Sequence, residues 1–74
     1  MLLPQNLSPD DCVYYNAAYV LQSLLKRREQ SVADLYCDVR SHHEISFSMF
    51  VLCLDWLFLI DSIRFEEERI VLCS

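Results

Sequence analysis

The side chains best able to do chemistry in this sequence are four cysteines and two adjacent histidines. The cysteines are spaced 25, 16 and 20 residues apart, with no Cys-x-x-Cys pair. Structural zinc sites usually use paired ligands about two to four residues apart. Cys37 with His42 and His43 is the only local group that resembles a ligand set or a nucleophile-base pair, and free thiols in a reducing compartment explain the pattern better. The sequence therefore predicts neither a metal site nor a catalytic residue.

Glycine is absent from all 74 residues. Phosphate-binding loops need glycine, because their backbone adopts positive φ and approaches the phosphate closely. Tight Asn-Gly and Asp-Gly turns are excluded for the same reason, so a hairpin is expected to close through a looser loop of about three to five residues. We accordingly expect no cofactor and no small-molecule substrate.

The charge balance disfavours nucleic acid as a direct ligand. Eleven acidic and six basic residues give a formal net charge of −5, whereas affinity for nucleic acid comes mostly from neutralising phosphates. The only basic run is Lys26-Arg27-Arg28, and cations at a helix end commonly complement the helix dipole.

The sequence also shows no segment suited to a membrane. The longest apolar run, residues 47–60, contains Asp55 and is shorter than the roughly 18 residues that span a bilayer. No secretion signal is recognised at the N-terminus. A cytoplasmic protein without membrane contact is expected.

The first helix is predicted from capping signals and apolar spacing. Residues 1–7 are expected to form an extended lead-in, since Pro4 disfavours helix before it. Ser8 is suited to cap the helix and Pro9 to occupy its first position. Apolar residues at helical spacing then continue to about Lys26.

A second helix is predicted to follow a polar break at residues 27–30. Ser31 and Asp34 form a capping pair, and the helix is expected to run from Val32 to about Ser41. The sequence His42-His43-Glu44 is then expected to be a solvated connection.

The third helix, capped by Ser46 or Ser48, is apolar on every side. The side opposite its core stripe carries Met49, Leu52, Cys53, Trp56 and Leu59. A helix that is apolar all round is buried all round, and two other helices in so short a chain cannot enclose it. A partner protein is therefore expected to cover the rest, unless the N-terminal segment does so through Leu2, Leu3 and Leu7.

The last residues change from helical to alternating periodicity. Ile63 and Phe65, then Ile70 and Leu72, alternate with other residues on either side of three consecutive glutamates, which predicts a hairpin over residues 62–73.

A single domain is therefore predicted, mainly helical with a small β-hairpin. The order of a three-helix core, residues 8–60, and a two-stranded wing is typical of a winged helix-turn-helix fold. DNA-binding members read the major groove with basic or amide side chains on the third helix. That helix offers Ser46, Ser48, Met49, Cys53, Asp55 and Trp56, and the wing tip is Glu66-Glu67-Glu68. The predicted fold therefore comes without its usual DNA-reading side chains.

Three segments carry a family resemblance. They are Leu7-Ser8-Pro9-Asp10, Ser31-Val32-Ala33-Asp34-Leu35-Tyr36 and, above all, Ser46-Phe47-Ser48-Met49-Phe50-Val51-Leu52-Cys53-Leu54-Asp55-Trp56-Leu57-Phe58. Through them the chain resembles the small middle component of bacterial ABC-three-component systems over nearly its whole length. Asp61 stands where a glycine is often expected before the wing.

The resemblance implies a conflict system directed against phage or plasmids, related to Lamassu-type defence. In such systems an ABC ATPase similar to the SMC and Rad50 class senses DNA, and an effector, often a nuclease, causes the damage. The middle component is then a non-catalytic adaptor that links the two proteins and meets DNA only through the complex. The alternative is a winged-helix transcriptional regulator or antidote-type subunit that acts as a dimer.

Two sets of residues are expected to bind partners. On the third helix these are Met49, Leu52, Cys53, Asp55 and Trp56. Tryptophan and methionine are enriched at interface centres, and the aspartate would pair with a partner's arginine or lysine. Tyr15 and Tyr19, on the less buried side of the first helix, are a second candidate contact that internal packing explains equally well.

Overall fold

Three helices and a three-stranded antiparallel sheet make up residues 12–73, the part of the chain that the computed structural model describes. In chain order the elements are α1 (Val13–Lys26), β1 (Glu29–Ser31), α2 (Val32–His42), α3 (Phe47–Leu59), β2 (Ile63–Glu66) and β3 (Arg69–Leu72). β3 lies between β1 and β2. The mainly helical chain with a C-terminal hairpin is confirmed, but the sheet has three strands where two were predicted.

The unexpected strand is β1, which occupies the predicted polar break. Gln30 pairs with Ile70 of β3, and its side chain is buried. The Gln30 Nε2 atom donates to the carbonyls of Ser23 and Arg27, both at 3.0 Å. A buried amide is tolerated where it finds hydrogen-bond partners. The two-strand prediction is wrong because a polar side chain fills a core position here.

The start of α1 also differs from the prediction. Cys12 precedes the helix with extended backbone (φ −92°, ψ 127°), and no side chain caps it. The Cys12 carbonyl accepts hydrogen bonds from the backbone and the side-chain amide of Asn16, at 3.0 and 2.8 Å. α1 therefore begins at Val13, and Cys12, which the prediction included in the helix, precedes it. The expectation that Pro9 occupies the first helical position lies outside the described residues. The expectations for Ser8, for the lead-in of residues 1–7 and for Leu2, Leu3 and Leu7 over the third helix lie outside the described residues.

Serine side chains cap both α2 and α3, as predicted. The Ser31 hydroxyl accepts a hydrogen bond from the backbone N–H of Asp34, and the Ser46 hydroxyl accepts one from Met49, both at 3.1 Å. Of the two serines considered for α3, Ser46 is the cap. Each cap satisfies one backbone donor and stabilises its helix by about 1 kcal/mol.

α3 ends in a Schellman motif built on an aspartate. The backbone N–H of Asp61 donates to Phe58 O at 3.1 Å, and that of Ser62 donates to Leu57 O at 2.9 Å. Asp61 has φ 61°, in the left-handed region where glycine is usual at this position.

The hairpin turn is tighter than predicted. Glu66 pairs with Arg69, so the loop contains only Glu67 and Glu68, with φ of 51° and 64°. Positive φ at both central residues is the type I′ geometry, which matches the twist of the two strands. The prediction of a longer loop is wrong because two glutamates adopt the conformation that glycine would ordinarily supply.

Candidate protein-binding surface

α3 has one buried side and one exposed side, and both are apolar. The buried side contributes Phe50, Cys53, Leu54 and Leu57 to the core, where α3 packs most extensively on α1. Large apolar residues on the exposed side are Phe47 (55% exposed), Val51 (38%), Leu52 (51%) and Leu59 (81%). An apolar helix face of this extent is typical of a protein-protein contact.

Met49 and Trp56 lie at the border between the two sides. Both are half-buried, and the Trp56 ring meets Tyr14 of α1 edge-on, with 4.8 Å between ring centroids. Tyr14 is itself 65% exposed. Trp56 therefore supports the packing of α1 on α3 while leaving part of its ring at the surface next to Leu52.

Cys53 does not belong to the exposed side. It is fully buried, and its Sγ atom donates to the Val13 carbonyl at 3.6 Å. Its placement among the exposed anchoring residues is wrong, because α1 covers this part of α3. Burial, with a smaller effect of nearby Cys12, raises the pKa of Cys53 to about 11, so the thiol stays protonated at neutral pH. All four cysteines are free thiols.

Asp55 is the only charged residue of α3. It is exposed, and no salt bridge to it is formed within residues 12–73. The last turn of α3 contains no basic residue, although the C-terminal end of a helix carries partial negative charge. The exposed side of α3 is therefore electrostatically negative as well as apolar.

Tyr15 and Tyr19 form an internal cluster with His43. The Tyr19 and His43 rings stack with centroids 4.0 Å apart, and Tyr15 meets both rings edge-on. The His43 Nε2 atom lies 2.7 Å from Oδ1 of buried Asn16. Because the Asn16 amide nitrogen donates to Cys12 O, Asn16 Oδ1 is the acceptor and His43 Nε2 the donor.

This cluster corrects the expectation of a solvated His42-His43 connection. His43 is half-buried and fixes the α2–α3 turn to α1. Tyr15 is 39% exposed, so part of the pair reaches the surface. A partner contact by Tyr15 and Tyr19 stays a prediction.

A polar network that the sequence did not indicate joins α1, β1 and α2. The Ser23 hydroxyl donates to the Asp38 carboxylate at 2.5 Å, and Lys26 Nζ lies 3.4 Å from the same carboxylate. The hydrogen bond from Ser23 is the main cause of a lowered pKa of Asp38. Gln30 in turn donates to the Ser23 hydroxyl at 3.2 Å. One feature of the sequence could have indicated this network. Asn16 and Ser23 are polar residues seven positions apart, on the side of α1 that is buried.

An open groove of about 250 Å³ lies beside this network, between α1 and α2. Its lining residues are Tyr19, Gln22, Ser23, Leu25, Lys26, Asp38, Val39 and His42. His42 Nδ1 contacts the Ser41 hydroxyl and the Asp38 carbonyl, both at 2.9 Å. The groove therefore presents both polar and apolar side chains. Its one carboxylate, that of Asp38, already accepts a hydrogen bond from Ser23 and pairs with Lys26.

The structure does not bring Cys37 and the two histidines together. Among residues 12–73 no three histidine, cysteine, aspartate or glutamate side chains are grouped so as to hold a metal ion. No helix in that range is long and apolar enough to cross a membrane.

Comparison with protein families identifies the chain. The model for ABC-three component (ABC-3C) system Middle Component 6 matches residues 3–73. None of the curated proteins and none of the solved structures compared with the chain matches it. The family match includes all three helices and all three strands, α3 and its exposed side among them. The chain therefore belongs to the Middle Component 6 family of ABC-three-component systems.

Proposed function

We propose that the protein is a non-catalytic adaptor in a complex that acts against phage or plasmids, in an arrangement similar to Lamassu. It links an ABC ATPase of the SMC and Rad50 type, which senses DNA, to an effector such as a nuclease. Membership in a three-component family supports a role among partner proteins. The adaptor acts in the cytoplasm without a cofactor or a small-molecule substrate, and DNA is reached only through the complex.

The exposed side of α3 carries this proposal. It presents Leu52 and Leu59 around a single charge, Asp55, and α3 contains no lysine or arginine. A helix that reads DNA needs cationic or amide side chains at its exposed positions, whereas apolar side chains gain free energy when a protein surface covers them. These side chains therefore favour a protein partner over DNA.

The arrangement of elements supports a winged-helix assignment. In this assignment α2 and α3 would be the helix-turn-helix unit and the β2–β3 hairpin would be the wing. The order of the elements supports it, and β1 adds a third strand beside β3. The wing tip carries Glu67 and Glu68, both exposed. Acidic side chains there repel phosphates, so we propose that a partner protein contacts the positions that touch DNA in other proteins of this shape.

Co-purification tests the adaptor role. The tagged chain is co-expressed with the ABC ATPase and the effector of the same three-component system, and the yield of each partner is measured. Leu52→Asp places a charge on the exposed side of α3 and is expected to abolish recovery of at least one partner. Leu25→Asp on α1, where the leucine is 64% exposed, is the matched control and is expected to retain both.

Two results would overturn this proposal. One is full recovery of both partners with Leu52→Asp. The other is saturable, salt-sensitive binding of the isolated chain to duplex DNA at physiological ionic strength, which supports the alternative of a dimeric winged-helix regulator or antidote-type subunit.

A further inference from the structure

We propose that α3 binds a cationic amphipathic helix of a partner subunit along one exposed ridge. The ridge is Leu52, Asp55 and Leu59. The inference rests on the proposed adaptor function and adds the chemistry of the segment that docks: apolar side chains against the two leucines, and a lysine or arginine against the aspartate.

The spacing of the ridge fits a helical partner. Positions 52, 55 and 59 are separated by three and four residues, so they lie on one side of α3 over about 10 Å. Apolar residues repeating at this spacing form the seam between two packed helices. Leu59 is 81% exposed and Leu52 51% exposed, so both offer most of their surface to such a seam.

Charge complementarity selects a cation for the centre of the seam. Asp55 has no salt bridge within the described part of the chain, and Asp61, also exposed, follows the last turn of α3. The partial negative charge at the α3 C-terminus adds to both carboxylates, and α3 has no base in its last turn. A partner lysine or arginine beside Asp55 meets this unpaired carboxylate and the partial negative charge of the helix end.

The same charge argues against a second copy of this chain as the occupant. Antiparallel pairing of two ridges places Leu52 of one copy near Leu59 of the other, but it also places the two Asp55 carboxylates near each other. Parallel pairing brings equivalent residues together and has the same result. Juxtaposed like charges disfavour both arrangements, and the net charge of −5 on each copy adds to the repulsion.

Designed probe peptides test this inference by NMR on the ¹⁵N-labelled 74-residue chain. Two capped, alanine-based helical peptides carry two leucines seven positions apart and balanced charges on the opposite side of the helix. The peptides differ only midway between the leucines, where one has lysine and the other has glutamate. We expect the lysine peptide to shift the amide resonances of α3 and to bind about fivefold or more tightly than the glutamate peptide.

Variants separate the contribution of charge from that of apolar contact. Asp55→Asn is expected to abolish the preference for the lysine peptide. Leu59→Ala is expected to weaken the binding of both peptides by about tenfold. Glu44→Gln, at an exposed loop position, and Leu25→Ala, at an exposed position of α1, are matched controls and are expected to leave both affinities unchanged.

Three other outcomes are distinguishable, and each contradicts a different part of the inference. Equal affinity for the two peptides overturns the cationic partner but leaves the exposed side of α3 as a docking surface. Absence of binding, or resonance shifts confined to other elements, overturns the ridge. Self-association that Leu59→Ala abolishes assigns the ridge to a second copy. Failure of the proposed adaptor function itself would be seen in a different experiment, the co-purification of partners with the Leu52→Asp variant.

Discussion

Replacing Glu68 with glycine is expected to stabilise this protein, although Glu68 is an exposed residue at the tip of a hairpin. Glu68 has φ 64° in a two-residue turn whose flanking residues are Glu66 and Arg69. A side chain with a Cβ atom destabilises this left-handed conformation by about 1–2 kcal/mol. Glycine removes that strain but gives the unfolded chain more freedom, which offsets about 0.5–1 kcal/mol of the gain.

The net increase in the free energy of unfolding is therefore about 0.5–1 kcal/mol. In a domain of this size that corresponds to a rise in Tm of a few degrees, about 2–8 °C. Urea denaturation followed by circular dichroism measures the free energy, and a thermal scan measures the Tm. The wild-type chain and the variants are compared at the same protein concentration.

Two controls separate backbone strain from charge. Glu68→Gln removes the same negative charge but keeps the Cβ atom, so it reports relief of repulsion at the acidic tip alone. Glu66→Gly puts glycine in β2, where it is expected to destabilise by about 0.5–1 kcal/mol. If Glu68→Gly is no more stable than Glu68→Gln, the strain assigned to the turn is refuted.

Three further predictions concern the polar network that joins α1, β1 and α2, and the reactivity of the thiols. Gln30→Leu leaves the Ser23 and Arg27 carbonyls without their side-chain donor and is expected to reduce the free energy of unfolding by about 1–3 kcal/mol in urea; unchanged stability would contradict the network. The pKa of Asp38 is lowered in the folded chain, so its contribution is complete above the ordinary carboxyl pKa and is lost as pH falls through the lowered value. The stability difference between wild type and Asp38→Asn should therefore shrink on acidification, and a difference that grows would be inconsistent with this sign. In the native chain a thiol reagent is expected to modify exposed Cys37 and to spare Cys53 until urea unfolds the protein, whereas modification of Cys53 at the rate of Cys37 would show that α1 does not cover it.

Local signals were sufficient to predict the start of α2 and to narrow the start of α3 to two serines. Ser31 and Ser46 each precede a helix by one residue and accept a hydrogen bond from the third residue beyond. Such a cap involves only neighbours in the sequence, so no tertiary information is needed to recognise it. The hairpin was recognisable for a similar reason, since alternation of apolar residues requires only the strand itself.

β1 escaped prediction because its stability comes from distant partners. Gln30 is polar, and its burial depends on the Ser23 carbonyl of α1, on the Arg27 carbonyl that follows α1, and on pairing with β3. The turn at Glu67 and Glu68 escaped for another reason: a rule based on glycine describes the usual residue, whereas strand pairing on both sides holds two glutamates at positive φ.

The candidate site was predicted in outline but not in orientation. An α-helix that is apolar on all sides gives no contrast from which to read the inward direction. Leu52 and Cys53 were therefore assigned to one side, although the structure exposes the first and buries the second. Only the position of α1 against α3 distinguishes them.

The adaptor role is tested most directly by asking whether the effector reaches the ATPase without this chain. The tagged ABC ATPase is purified after co-expression with the effector, with and without the middle component, and the amount of bound effector is measured. We expect the effector to be retained only when the chain is present, and to be lost again with Leu52→Asp. Equal retention of the effector in the absence of the chain would contradict the adaptor role.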